Sequence, residues 1–296
     1  MTADGPTKAR TVARLAEELA RALDACGVAE PVSESREIVS ALFDVPRFWS
    51  LTNGHVEVDD HVRARAGLAV ERRARGAPFA YAVGRANFRH LTLEVDERVL
   101  IPRVETEHLV DLVLEEMEGE QERGGVAIDV GTGSGCIALA LATEGRFARV
   151  YGTDISLDAL AVAHTNVASA RRSLRAPVHL VHGSLLGPLL DVRCRVVVSN
   201  PPYIALSEAD LLPASVRNWE PAAALYSGRD GLAATARLVR QAASVLEPDG
   251  LFAIEVDARR ASLAAELVAG ERRFHDVRVE LDLAGRERFV LARRLD

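Results

Sequence analysis

The chain opens in a helical rhythm. Val12, Leu15, Leu19 and Leu23 recur at intervals of three and four with charged residues between them, the spacing of one apolar helix face. The runs ESREIVSALFDV and HVRARAGLAVERRARG keep that period, the second closing on Gly76 as helices often do. Between 81 and 101 the rhythm shortens: Phe88, Leu91, Leu93 and Val95 alternate with polar neighbours, which predicts a strand or hairpin with one exposed face. Helical spacing returns in ETEHLVDLVLEEMEG, with Thr106 or a neighbour as its cap and an end near Gly119. Strands are then predicted at 126–130, 148–153, 177–182, 195–199 and 250–256, and near 274–281 and 287–293. Helical segments such as SGCIALALATEG, SLDALAVAHTNVASARR and GLAATARLVRQAASVLEPDG separate most of them. Such alternation predicts a doubly wound α/β fold with a parallel sheet, and two final strands without a helix between them predict an antiparallel hairpin at its edge. The expected organisation is a helical domain over 1–80, a β-hairpin linker over 81–104 and an α/β domain over 105–296.

Composition narrows this. A chain of 296 residues with 48% hydrophobic content suits a globular protein of about two domains. No apolar run approaches the roughly 18 residues that span a bilayer. The first twenty residues, MTADGPTKARTVARLAEELA, scatter charges through their apolar positions and lack the core of a signal peptide, so a cytoplasmic protein without a membrane partner is expected. Cys26, Cys136 and Cys194 lie far apart in apolar surroundings and read as buried small hydrophobes in a reducing compartment. No cysteine or histidine spacing suits a metal; His164 and His182 read as helix-surface and strand-end residues. The net charge of −7 argues against a protein that grips long nucleic acid, and ERRARG (71–76) and RRSLR (171–175) read as solvated helix faces.

Three stretches carry chemistry. In AIDVGTGSGCIALALA, a strand ends at Val130 and glycines at 131, 133 and 135 lead into a helix, so a ligand can approach the backbone beside unpaired helix N–H groups. The G-x-G-x-G spacing departs from the dinucleotide pattern, and no phosphate-cradling Lys-Ser/Thr follows. In RVYGTDIS, Asp154 ends the next strand, 23 residues after Gly131, where an acid can accept hydrogen bonds from ribose hydroxyls. Its alternative role is to cap the helix starting near Ser156. The third stretch is VVVSNPPYIAL: a buried strand runs into Asn200-Pro201-Pro202-Tyr203, where each proline holds its predecessor extended. A planar –NH2 group there could donate to the Asn200 side-chain oxygen and a proline carbonyl while Tyr203 offers an aromatic face. Positioning and carbonyl dipoles then do the catalytic work for methylation of a poorly nucleophilic amide or amine, with neither a covalent nucleophile nor a metal.

With these stretches in view, the sequence resembles the Asn-Pro-Pro-Tyr class of S-adenosylmethionine-dependent methyltransferases. More narrowly it resembles the PrmC/HemK protein glutamine methyltransferases, which methylate the Gln of the Gly-Gly-Gln tripeptide in class 1 peptide chain release factors. The likeness covers almost the whole chain. VLIPRVETE (99–107) is its most particular signature, followed by DVGTGSGCIALALA, TDIS, VSNPPYI and VRNWEPAAALYSGRDGL (216–232) in family order. The resemblance implies a class I, Rossmann-like methyltransferase fold of seven strands in the order 3-2-1-4-5-7-6, with a small N-terminal helical domain that contacts the release factor. It further implies that Gly131, Thr132, Gly133, Ser134 and Gly135 line the methionine part of S-adenosyl-L-methionine, that Asp154 holds its ribose, and that Asn200 contacts both cofactor and substrate. Asn200, Pro201, Pro202 and Tyr203 would hold the glutamine amide, with Asn200, Pro201 and Tyr203 catalytic. Two positions depart from the pattern. Ser184 stands where relatives commonly carry an adenine-reading Asp, with Leu185 beside it to pack on the ring; Asp257 replaces a small residue after Glu255.

Other readings stay open on the sequence alone. They are glutamine methylation of a ribosomal protein, amino-group methylation of adenine or guanine in nucleic acid, and a degenerate fold acting as a binding module. The second would call for a basic groove, which the near-neutral helical segment does not supply; the third sits poorly with an intact glycine loop, Asp154 and Asn200–Tyr203.

Overall fold

The structure, a computed structural model, describes residues 10–118 and 124–296. The expected helix end near Gly119 and the first nine residues lie outside the described residues. The chain divides into two compact units: Met1–Arg85 with Ala214–Trp219, and Ala86–Pro213 with Glu220–Asp296.

The first unit is helical: α1 (Val12–Ala25), α2 (Pro31–Phe43), α3 (Trp49–Thr52), α4 (Asp60–Ala74) and α5 (Phe79–Val83). The apolar stripe of α1, Val12, Leu15, Leu19 and Leu23, packs in one cluster with Ile38, Val39 and Leu42 of α2 and with Ala66 and Ala69 of α4. Pro31 sits in the first turn of α2, where its missing N–H costs nothing. The Asp59 carboxylate caps α4 by accepting from the Val62 N–H at 2.7 Å. Cys26 closes α1 and is exposed, which corrects its expected burial: a helix end facing solvent leaves it uncovered.

The second unit opens with a two-stranded hairpin, β1 (Arg85–Phe88, its first residue shared with the helical unit) and β2 (Leu91–Glu94). Arg89 turns the corner at φ 53°, and its guanidinium donates to Glu144 at 2.7 and 2.8 Å and to Asp111 at 2.7 Å. Then come α6 (Val104–Met117), β3 (Val126–Val130), α7 (Cys136–Glu144), β4 (Arg149–Asp154), α8 (Leu157–Ala170), β5 (Val178–His182) and β6 (Cys194–Ser199). Short α9 (Ala214–Arg217, in the helical unit) and α10 (Ala222–Leu225) precede α11 (Ala233–Val245), β7 (Leu246–Glu255), α12 (Ala261–Gly270), β8 (Phe274–Leu281) and β9 (Glu287–Arg294). The sheet runs β5-β4-β3-β6-β7-β9-β8, with β3 to β7 parallel and β9 antiparallel to both neighbours. Numbered from β3, that is the order 3-2-1-4-5-7-6, edge hairpin included.

Chemistry of the segments explains the layers. Every residue of β6 is buried, as suits a central parallel strand, and α7 is buried from Ile137 to Ala142, the mark of a helix covered on all sides. Strand β7 begins at Leu246, before its predicted start, because Leu246 pairs with Cys194 ahead of a register shift. Helix α6 begins at Val104, and Arg103 at its N-cap makes no side-chain capping bond; Thr106 therefore is not the cap, its hydroxyl being engaged elsewhere. His182 ends β5 as expected, its ring Nε2 lying 3.0 Å from the Ile155 carbonyl. No helix among the described residues is long and apolar enough to cross a membrane.

The strand order reverses between β3 and β6, the place where open α/β sheets bind ligands beyond their carboxyl ends. Val130 pairs with Ser199 and with Thr153, so Gly131 and Asn200 each follow the last paired residue of their strand, and Asp154, paired with His182 of β5, lies one residue beyond the pairing of β4 with β3. The Ser199 hydroxyl donates to the Val130 carbonyl at 2.6 Å and ties the two central ends together.

Candidate active site

The glycine loop is shaped by its neighbours. The N–H groups of Gly131 and Thr132 both donate to the Thr153 carbonyl at 2.8 Å, which bends the chain over β4. Gly131, Gly133 and Gly135 take φ of 73°, 55° and 84°, the left-handed region that glycine enters at no steric penalty. A Cβ on Gly131 would meet nothing within 4 Å, so that position faces open space and its requirement is conformational. Gly152, in the middle of β4, has a different reason: a Cβ there would lie 2.8 Å from the Thr132 hydroxyl. Beneath the loop, the fully buried Asp129 accepts from the Thr132 hydroxyl at 2.6 Å and the Ala138 N–H at 3.1 Å, both on Oδ2. Burial pushes its carboxyl up to about 7 against the pull of those two bonds.

Asp154 accepts from the Gly133 N–H at 2.9 Å and from the Ser156 N–H at 2.9 Å. It is not the helix cap; the Ser156 hydroxyl caps α8 by accepting from the Ala159 N–H at 3.1 Å. A carboxylate has about four lone-pair sites, so two stay free for other donors. Asn166 on α8 grips Glu94 of the hairpin through both amide atoms, at 2.7 and 3.0 Å, and donates to the Ser134 carbonyl at 2.9 Å, joining hairpin, helix and glycine loop.

A cavity of about 320 Å³ opens at these strand ends. Gly131, Gly133, Asp154, Ser184, Leu185, Asn200 and Pro202 line it, with Arg98, Val99, Leu100, Pro221 and Arg237. Thr132, Ser134 and Gly135 stand behind this wall: Thr132 is turned to Asp129, Ser134 is buried, and Gly135 packs near Ala163 at the start of α7. Pro201 and Tyr203 also lie outside the lining. Ser184 accepts a long bond from Arg237 at 3.4 Å, and Leu185 sits at φ 53°, a left-handed position rare for a branched residue.

Behind Asn200 lies a chain of buried polar groups absent from the expected site. The Asn200 amide donates through Nδ2 to the Thr106 hydroxyl at 3.0 Å, and Thr106 donates to Glu255 Oε2 at 2.7 Å. The Tyr203 hydroxyl meets Glu255 Oε1 at 3.5 Å. Burial pushes Glu255 up to about 6, opposed by the Thr106 bond and the Arg288 charge; burial likewise raises the Tyr203 phenol above its usual range. Thr106 and Glu255 are 149 residues apart, so no spacing rule pairs them. Arg103 grips buried Glu220 through both carboxylate oxygens at 2.6 and 2.7 Å. Asp257 does not line the cavity; it pairs with Arg259 at 2.9 Å, while Arg259 and Arg260 hold Glu208, at 2.9 and 2.7 Å, on the segment after Tyr203. Gly231 (φ 80°) completes this wrap, since a Cβ there would lie 2.4 Å from the Tyr203 carbonyl and 2.7 Å from Arg260 Nε. Among the described residues no group of three or more His, Cys, Asp or Glu is placed to hold a metal ion.

Known proteins resemble this chain over nearly its whole length. The family model described as the PrmC N-terminal domain matches residues 14–84, and that of the methyltransferase small domain matches 107–214. The release factor glutamine methyltransferase of Moorella thermoacetica is 38% identical over 94% of this chain and 96% of its own length. That of Deinococcus radiodurans is 38% identical over 92% and 94%. The chain belongs to the release factor glutamine methyltransferase family. Among solved structures, the catalytic domain of hMettl16 in complex with MAT2A 3'UTR hairpin 1 superimposes with a TM-score of 0.56 at 19% identity, covering 88% of this chain and 91% of that one. At that identity the match speaks for the fold alone, a class I methyltransferase sheet, which in this family accompanies a helical N-terminal unit.

Two consequences can be measured. Asp129 titrates near 7 when folded and near 3.8 otherwise, so its contribution to stability is complete below about pH 4 and is lost as pH rises through 7. Asp129→Asn keeps one acceptor oxygen and does not titrate. Relative to this variant, the wild-type protein should lose roughly 4 kcal/mol between pH 4 and pH 8; parallel thermal midpoints across that range would refute the assignment. Gly231→Ala should push the Tyr203 backbone and lower methyl transfer by about 10-fold or more, read as kcat/KM, while the far-ultraviolet circular dichroism stays native.

Proposed function

We propose that this protein transfers a methyl group from S-adenosyl-L-methionine to the side-chain amide nitrogen of the glutamine in the Gly-Gly-Gln motif of class 1 peptide chain release factors. The observation that carries this reading is the direction of the Asn200 side chain, whose Nδ2 is taken by Thr106. Its Oδ1 is thereby left to accept from a substrate –NH2.

The cavity suits the cofactor on physical grounds. Two glycines without side chains border it, Asp154 retains acceptor sites beyond its two backbone donors, and Val99, Leu100, Leu185 and Pro202 supply apolar wall. In this reading Gly131 and Gly133 border the methionine end, with Thr132, Ser134 and Gly135 holding the loop from behind. Asp154 takes the ribose hydroxyls, and Ser184 and Leu185 lie on the adenine side. Bound S-adenosyl-L-methionine supplies an electrophilic methyl on a sulfonium. Asn200 Oδ1 and the Pro201 carbonyl accept from the two amide N–H groups and draw the nitrogen lone pair out of conjugation, while Pro202 and Tyr203 keep those acceptors rigid. With the cofactor bound, these acceptors would aim the amide nitrogen at the methyl group; transfer would leave the demethylated thioether as second product and release the displaced N–H proton to solvent. Aligned acceptors and a dry wall lower the barrier through positioning and electrostatics. Residues 1–80 serve recognition of the protein substrate, 81–104 link, and 105–296 catalyse; the protein works in the cytoplasm, without stable nucleic-acid or membrane partners.

The test incubates the purified protein with radiolabelled S-adenosyl-L-methionine and, separately, a class 1 release factor, the same factor with its tripeptide Gln changed to Ala, a ribosomal protein and duplex DNA. Label should enter the native factor alone; equal label in the Ala variant overturns the reading. Asn200→Ala should lower turnover by roughly 10² or more, as loss of an oxyanion-type contact does.

A further inference from the structure

An amide side chain is two-faced: one end only accepts hydrogen bonds, the other only donates. If Asn200 were reversed, its –NH2 would confront the –NH2 of a substrate amide, and neither could accept. Something must choose between the two orientations, which differ by a rotation of half a turn and almost nothing in shape. The strand and the prolines fix the Asn200 backbone but are indifferent to that rotation.

The groups behind Asn200 are not indifferent. Thr106 and Glu255 are both almost wholly buried, at 2% and 1% exposure, so neither can trade its partner for solvent. Thr106 has a single hydroxyl proton. The 2.7 Å bond to Glu255 Oε2 uses it, because a carboxylate can only accept. What remains on Thr106 is lone pairs, and at 3.0 Å these accept only the Nδ2 end of Asn200. Each donor in the chain is thus determined by the next, and the chain ends on a buried carboxylate.

We infer that Thr106 is a positioning residue: its hydroxyl, polarised by Glu255, sets the direction of the Asn200 amide so that Oδ1 faces the substrate –NH2 and accepts from it. The inference rests on the reading of Asn200 given under Proposed function. Thr106 belongs to the same VLIPRVETE run that marks the family, and its place on the first turn of α6 brings that run under the end of β6.

Two shape-matched pairs isolate the hydroxyl. Thr106→Val keeps the branched shape and loses the donor and acceptor; Thr106→Ser and Thr106→Ala share a smaller shape and differ in the hydroxyl. The full-length variants are assayed for label transfer to a class 1 release factor, with cofactor affinity measured by calorimetry and folding by thermal melting. Wild type should exceed Val in kcat by roughly 10- to 100-fold, and Ser should exceed Ala by a similar ratio, as expected for misdirecting one catalytic acceptor. KM for the release factor and the cofactor Kd should change less than about threefold. Glu255→Gln, whose amide can donate to Thr106 and free the hydroxyl proton to point at Asn200, should fall with Val. A packing role predicts the opposite ranking, with Val near wild type and Ser impaired; that result, or Ser equal to Ala, overturns the inference while wild-type transfer stands. Should Val fail to fold, the comparison of Ser with Ala decides between the hydroxyl and packing by itself. If wild type transfers no label to the release factor, the functional reading fails and this inference fails with it.

Discussion

The level ending of β3 and β6 is the constraint on which the site depends. Parallel register sets Val130 against Ser199, and the Ser199 hydroxyl bonds the Val130 carbonyl at 2.6 Å. One residue further on, the two strands diverge into Gly131 and Asn200. A glycine that offers open space and an amide that offers an acceptor are thereby held side by side by strand pairing rather than by loop conformation. The same register across β4 brings Asp154 alongside. Sites carried on strands are held more precisely than sites on loops, so a reaction governed by position can be run from strand ends.

Two buried carboxyls underlie this platform, one on each side of the switch. Asp129 sits inside β3 and fastens the glycine loop through Thr132 and the start of α7 through Ala138. Glu255 ends β7 and fastens the Asn200 side through Thr106. Burial raises both, so each is held in the protein at an energetic penalty that pure packing would not exact. What an ionised carboxylate supplies that an apolar residue cannot is direction: Glu255 makes the Thr106 hydroxyl donate towards it and so fixes what that hydroxyl accepts.

Ser184 and Asp257, the two positions that the sequence reading set apart, fall into place differently. Ser184 lies on the cavity wall and accepts from Arg237, which places a cation beside that part of the wall. Asp257 is removed from the cavity and serves the Arg259–Arg260–Glu208 cluster that wraps the segment after Tyr203. One departure changes the surface a ligand would meet; the other changes only what holds that surface. Linear distance from a motif does not distinguish the two cases.

Much of the fold was legible in the sequence, because strands and helices announce themselves through local period. The pattern placed β3 to β6 within a residue, and the missing helix between the last two strands foretold the edge hairpin. The glycine loop, Asp154 and Asn200–Tyr203 stood out for a related reason, as unusual residues at strand ends; the structure puts Gly131, Gly133, Asp154, Asn200 and Pro202 of them on the cavity wall. Thr106, Glu220, Gly231 and Arg260 were not. Thr106 reads in sequence as a helix cap, and only the packing of α6 beneath β6 and β7 shows its hydroxyl spent on Glu255. The exposed Cys26 was misjudged for the same cause, since helix periodicity says little about a helix end. Sequence determined which elements form and which residues stand at their ends. Tertiary structure decided which of those residues face the cavity, which stand behind them, and which way each amide and hydroxyl points, because hydrogen-bond direction is set by partners distant in the chain.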